Sequence, residues 1–160
     1  MPDFVSFVEA RVFEAAVYAF FGPRMLDCNP NLASHYAEYN KNIRSLLMGW
    51  PKWMNPKAHR ARDHMVDSMI RWQRFALSQQ SPESILGEVK WEPLYGSRVV
   101  RERLLLLTRR GIVDERARAA EILAIMWACV IDHVMYLEGS EANPSSGSML
   151  TPSRRLFGFF

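Results

Sequence analysis

Cysteine is scarce in this 160-residue chain, which has only Cys28 and Cys129. Neither stands in a C-x-x-C pair or a secreted-scaffold spacing, so reduced thiols in a reducing compartment are the default. Long hydrophobic runs are lacking too. The longest uncharged apolar stretch, Ile122–Ile131, has ten residues, about half of the roughly 20 that cross a bilayer. The opening MPDFVSFVEAR has no basic region ahead of an apolar core, so it does not read as a signal peptide. No glycine-rich phosphate loop, HExxH or GxSxG occurs, which removes the usual signatures of nucleotide, zinc-protease and serine-hydrolase chemistry. Neither cysteine has a nucleophile-and-base arrangement visible in sequence.

What is present fits one globular domain or a piece of a larger one. Hydrophobic residues make up 49% and charged residues 23%, ordinary values for a chain with a core. Nine methionines and 12% aromatics suit an irregular core or the wall of an apolar pocket. The net charge of +3 has a local source. Lys57, Arg60, Arg62, Arg71 and Arg74 outnumber Asp63 and Asp67 within residues 57–74, while charges elsewhere cancel. One basic helix in an otherwise balanced chain is a poor nucleic-acid footprint, and no nucleic-acid partner is expected.

Hydrophobic periodicity predicts an all-α fold. A first helix runs over 4–21, capped at Asp3 or through the Ser6/Glu9 spacing, with Phe7, Val8, Val12, Ala15, Ala16 and Ala19 as its buried side. Gly22-Pro23 ends it. MLDCNPN reads as a turn, with Asn29 capping and Pro30 opening a second helix whose apolar side is Leu32, Tyr36, Tyr39, Ile43 and Leu46. Gly49 and the stiff WPKWMNP bend follow. A long helix from Lys57 to about Gln79 lines up Ala58, Ala61, Met65, Met69, Trp72 and Ala76 on one face. A proline- and glycine-marked loop leads to a shorter helix, Arg98 to Arg110, capped by Ser97. Asp114 caps the last helix, Glu115 to about Glu138, which from Ile122 onward is apolar on every side and should therefore be buried. Residues 139–160, rich in Ser, Pro and Gly, have the composition of a disordered tail. No strand of useful length is legible.

Three sets of polar residues could carry chemistry. Asp132 and His133 interrupt the apolar helix; they are either a proton-handling pair beside a pocket or the point where that helix meets solvent. His59, Asp63 and Asp67, spaced i, i+4 and i+8, could hold a metal but read better as solvated face charges paired with arginines. The basic stripe of the long helix could touch phosphates with Trp72 as a stacking ring, although Trp72 belongs to the apolar face. That stripe defines a second functional class, a non-catalytic helical interaction domain meeting an acidic partner or nucleic acid.

Several segments, in order, resemble the middle of a eukaryotic cytochrome P-450. RVFEAAVYAFFG, residues 11–22, resembles the helix that precedes the substrate-access region. LLMGWPKWMNPKAHRARDHMVDSMIRW, residues 46–72, is similar to the paired access-channel helices, with a G-x-P bend and an A-x-x-A-R-D/E start at Ala58-His59-Arg60-Ala61-Arg62-Asp63. ILAIMWA, residues 122–128, resembles the start of the central helix on the distal face of the haem. The likeness is closest to the branch holding sterol 7α-hydroxylases, prostacyclin synthase-like proteins and many fungal relatives.

The resemblance implies a partial P-450 fold over residues 1–138 and oxidation of an apolar, sterol-like substrate with molecular oxygen and electrons from a reductase. By position, Ala128 and Cys129 would face the haem, Asp132 would take the acid or amide place of the oxygen relay, and His133 its hydroxyl place. A histidine there departs from the family pattern. The F-x-x-G-x-x-x-C-x-G loop that supplies the haem thiolate does not occur, so this chain is expected not to bind haem alone and to be inactive in isolation. Residues from about Cys129 onward are expected to be translated intron or shifted frame, which an uninterrupted family-like exon through residue 160 would overturn. The family is typically anchored at the endoplasmic reticulum membrane; this chain, made alone, is expected in the cytoplasm.

Overall fold

The computed structural model describes residues 4–85, 89–112 and 114–141, without the side chains of residues 5, 6 and 129–141. Among the described residues six helices carry the fold: α1 (Phe4–Phe21), α2 (Pro23–Cys28), α3 (Leu32–Leu47), α4 (Pro56–Gln79), α5 (Arg98–Arg109) and α6 (Glu115–Glu141). A 3-10 turn, Pro82–Ser84, and a two-stranded antiparallel ribbon, β1 (Trp91–Glu92) and β2 (Gly96–Ser97), fill the α4–α5 connection. The all-α expectation holds.

The architecture is built on α4, which packs against α2, α3 and α6. Its start is chemically explicit: Pro56 occupies the first turn, where its missing N–H costs nothing, and Asn55 Oδ1 accepts from Ala58 N at 3.1 Å. Pro56 thus opens α4 rather than merely ending the bend before it. Ala58, Ala61, Met65, Met69, Trp72 and Ala76 are all buried, as their spacing predicts. Trp72 is the hub. Its ring meets Phe21 and Tyr95 edge-on at 5.6 and 6.2 Å, and its Nε1 donates to Leu94 O at 3.2 Å. Burying such a ring is worth about 2–3 kcal/mol relative to leaving it exposed.

Helix α1 has the predicted bounds but a different buried side. Phe13, Val17 and Phe21 are in the core, whereas Phe7, Ala15 and Ala19 are exposed and Val8, Val12 and Ala16 are half-buried. Apolar residues cover most of the α1 surface, so periodicity alone does not choose the face; stacking of Phe13 on Tyr36 of α3, 4.3 Å between centroids, does. Ser6 lies inside the helix instead of at its cap.

MLDCNPN is not a simple turn. Residues 23–28 form α2, and α3 starts at Leu32, with Asn31 rather than Asn29 in front of it. Asn29 is buried and works as a latch: its Nδ2 donates to Met25 O at 3.1 Å and Ser68 O at 3.2 Å, and its Oδ1 accepts from Arg71 Nε at 3.0 Å. The side chain therefore fastens α2 to α4.

Gly22 and Gly96 lock the end of α1 against the ribbon. Both have positive φ, 78° and 70°, and each sits where only hydrogen fits. A Cβ on Gly22 would lie 2.5 Å from Pro93 O, and one on Gly96 would lie 2.4 Å from Phe20 O. The ribbon itself is shaped by Glu92, whose carboxylate accepts from the backbone N–H of Leu94 and Tyr95.

Candidate functional site

Asp114 caps α6 as predicted, accepting from Arg116 N at 3.2 Å and Ala117 N at 3.1 Å. Ion pairs then fix the first turns of the helix. Glu115 receives a two-pronged contact from Arg74 of α4, whose guanidinium pulls the Glu115 carboxyl below its ordinary range. Arg116 bridges Asp63 and Asp67 of α4 at 3.3 and 3.2 Å, and Arg103 of α5 pairs with Glu121.

Past this point α6 has two faces. Ala119, Ile122, Leu123 and Met126 are buried, while Ala124 and Ala128 are exposed. The expectation of burial on all sides therefore fails. Ala124, Ile125 and Ala128 line a groove of about 910 Å3 together with Val99 and Leu106 of α5. Ala128 is thus placed on an open apolar surface. Cys129, Asp132 and His133 follow within the backbone of α6, which extends to Glu141, but their side chains lie outside the described residues. So do residues 142–160, the greater part of the predicted tail.

The other sequence candidates are occupied by structural work. His59 Nε2 meets Trp50 O at 2.8 Å, and Asp63 and Asp67 are taken by Arg116, an arginine from another helix rather than from their own face. No metal-holding group of three or more His, Cys, Asp or Glu residues exists among the described residues. On α4, Arg62 pairs with Asp63, Arg71 holds Asn29 and Ser68, and Arg74 holds Glu115. Trp72 is fully buried and cannot serve as a stacking platform.

Haem-thiolate ligation makes a sharp demand on the donors: a thiol whose anion is favoured. Cys28 does not meet it. Burial and the neighbouring Asp27 raise its thiol, with Arg24 and Arg71 only partly opposing them. It also closes α2 without any glycine-flanked loop around it. The described cysteine chemistry does not fit a proximal iron ligand.

Sequence reasoning missed one polar cluster at the α2–α3–α4 junction. His35 and His64 stack at 5.3 Å with planes 17° apart, next to the Asn29–Arg71 latch. Burial first, then His64 and Arg71, lower the His35 pKa from its ordinary value. Nothing in the one-dimensional pattern pairs residues 35 and 64, because each lies off its own helix's main apolar line.

Comparison with known proteins settles the family. Over 128 residues, 80% of this chain, the sequence is 49% identical to the cytochrome P-450 monooxygenase fsoE of Humicola fuscoatra. Over the same length it is 46% identical to the monooxygenase efuG of Hormonema carpetanum. The chain belongs to the cytochrome P-450 family. A third member, calL of Penicillium decumbens, is 32% identical over 96 residues, 60% of the chain. These matches cover 22%, 23% and 18% of the relatives, so the chain spans about a fifth of the P-450 sequences that it resembles. No family model and no solved structure matches it.

Proposed function

We propose that this P-450 segment forms the substrate-access and distal-wall part of a haem-thiolate monooxygenase acting on an apolar, sterol-like substrate, and that the chain alone has no monooxygenase activity. The observation that carries the reading is the 49% and 46% identity to two fungal P-450 monooxygenases over 80% of the chain. In this reading Ala128 and Cys129 lie toward the haem, and Asp132 and His133 occupy the proton-relay positions. Small residues such as Ala124 and Ala128 admit the close approach of a flat ring, which supports that assignment. A redox partner of the reductase type and the family's usual place at the endoplasmic reticulum membrane belong to the same proposal.

Loss of activity in isolation follows from the donors. Cys28 is a raised thiol at the end of α2, and neither cysteine stands in an F-x-x-G-x-x-x-C-x-G setting. When a haem is bound, it supplies oxygen activation; this chain's own contribution is apolar surface, water exclusion and the proton-relay positions on α6. A carbon-monoxide difference spectrum of the reduced protein with haem supplied tests the proposal. The expected result is no thiolate-type band, and such a band would refute inactivity. The alternative, a basic interaction helix, loses support at Arg71 and Arg74, which hold Asn29 and Glu115 from other parts of the fold.

A further inference from the structure

Side chains of α4, α5 and α6, with Tyr95 from the β1–β2 connection, line a cavity of about 180 Å3. That is the volume of roughly six waters, enough for one substituted ring. Its inner end is buried, with Gln73, Tyr95 and Leu104 at 3%, 0% and 6% exposure. Its mouth reaches the surface at Leu77 and Thr108, which are both exposed. It shares no described lining residue with the α5–α6 groove.

Gln73 is the anomaly in this wall. It lies deep in α4, yet its side-chain Nε2 is buried without a hydrogen-bond partner. An unpaired buried donor is costly, and an apolar residue of similar size would avoid the cost. The other polar groups of the wall are fixed in place. Tyr95 O–H donates to Gln80 O, Thr108 Oγ1 to Leu104 O, and Arg118 Nη1 to Ile112 O. Burial first, then Glu92, pushes the Tyr95 pKa up to about 12, so its hydroxyl stays neutral. Arg118 thus carries the charge of the cavity, and that charge is positive; no Asp or Glu stands among the described lining residues. Glu115, one turn earlier on α6, is held by Arg74.

A fixed cation, an unpaired amide donor and an apolar wall select among ligands. A metal cation would be repelled by Arg118, and a plain hydrocarbon would leave Gln73 unpaired. Inorganic phosphate would make no use of Leu104 or the Tyr95 ring. A carboxylate joined to a short apolar body uses all three features.

We propose that this cavity is a binding subsite for a small organic carboxylate. The carboxylate oxygens accept from Gln73 Nε2 and the Arg118 guanidinium, and the apolar body lies against Leu104 and the Tyr95 ring. The occupant touches α4, α5 and α6 at once, so it holds the start of α6 in place and stabilises the fold by mass action. The subsite is independent of the haem-facing role proposed for the later part of α6.

Titration calorimetry of the whole chain with benzoate tests this, with benzamide and inorganic phosphate for comparison. Benzoate is expected to bind at one site with a Kd of about 1 mM, in keeping with so few atoms. Benzamide has the shape without the charge, and phosphate the charge without the apolar body; each should bind at least about 10-fold more weakly. Gln73→Leu should weaken benzoate binding about 10-fold while keeping or raising the urea midpoint measured without ligand, because it removes an unpaired buried donor. Arg118→Gln should abolish the preference for benzoate over benzamide. Thr108→Tyr, at the exposed mouth, should block entry, and it decides the matter should Gln73→Leu fail to fold. Val99→Ser, in the α5–α6 groove, should leave binding unchanged. Equal binding of benzoate and benzamide overturns the proposal, as does benzoate binding that survives Thr108→Tyr or is lost in Val99→Ser. So does a lack of saturation up to about 20 mM benzoate, which would leave the cavity to ordered water alone.

Discussion

Substituting Gly96→Ala separates two costs that the fold places on one residue. The first is conformational: at φ 70° an L side chain is strained, which costs about 1–2 kcal/mol. The second is steric. A Cβ would lie 2.4 Å from Phe20 O, 2.5 Å from Phe21 C and 2.6 Å from Gly22 N, all backbone atoms of the α1 terminus. No side-chain rotamer can relieve that overlap, so α1 must part from the ribbon at a cost of about 1–3 kcal/mol. The expected total is about 2–5 kcal/mol, a large share of the roughly 5–15 kcal/mol that a domain has. Gly49→Ala is the control. Its φ is also 70° but nothing lies within 4 Å of its Cβ, so it bears only the first cost, about 1–2 kcal/mol. The entropy lost from the unfolded chain is the same for both substitutions and cancels between them. With a urea slope of about 2 kcal/mol per molar, the Gly96→Ala midpoint should fall about 0.5–1.5 M below that of Gly49→Ala. Equal midpoints would show that the α1 end and the ribbon are not in close contact, and would refute the packing around Trp72 that depends on it.

Two further outcomes follow from the α2–α3–α4 junction. Burial first, then the neighbouring His64 and Arg71 of α4, lower the His35 pKa. The unfolded chain therefore takes up a proton at about pH 6.5 that the folded chain resists, so stability is intact above that pH and is lost as pH falls toward the lowered value. Urea midpoints between pH 8 and pH 5 should drop more steeply in the native protein than in His35→Gln; parallel curves would overturn the assignment. Asn29→Ala should cost about 2–3 kcal/mol, because it strands the Met25 and Ser68 carbonyls and removes an acceptor from Arg71. A loss of about 1 kcal/mol or less in chemical denaturation would mean that Asn29 is no more than a helix-end residue.

How much of this was legible in the sequence depends on how sharply polar residues marked each face. The main face of helix α4 was readable because charges occupy one side of it and Ala58, Ala61, Met65, Met69, Trp72 and Ala76 the other, although Pro56 as its first residue and the buried Val66, Ser68 and Gln73 were not. In α1 the contrast is weak, so the true face, Phe13, Val17 and Phe21, emerged only from what those side chains meet. Asn29 was misread for a related reason. Asn before Pro is a common helix-start signal, and only tertiary structure brings Ser68 and Arg71 within its reach. The family was legible through ordered motifs over residues 11–128, and identity to two fungal P-450 monooxygenases over 128 residues bears it out. The functional residues named on α6 gained less, because Ala128 alone among them has a described side chain.

The two faces of α6 link these levels. A helix apolar on one side needs a single packing partner; a helix apolar all round needs two. Within this chain, α4 and α1 supply the first partner, burying Ala119, Ile122, Leu123 and Met126. The opposite side, with Ala124 and Ala128 exposed beside Val99 and Leu106, stays open as a groove of about 910 Å3. An open apolar surface of this kind is a liability for a free-standing domain and a requirement for a segment that packs within a longer protein. The chain matches about a fifth of its relatives' length. The small side chains at 124 and 128 restrict what can cover the groove: a flat or closely approaching group fits, whereas larger residues there would hold any partner away. The one-sided burial of α6 supports the distal-wall role proposed for it above.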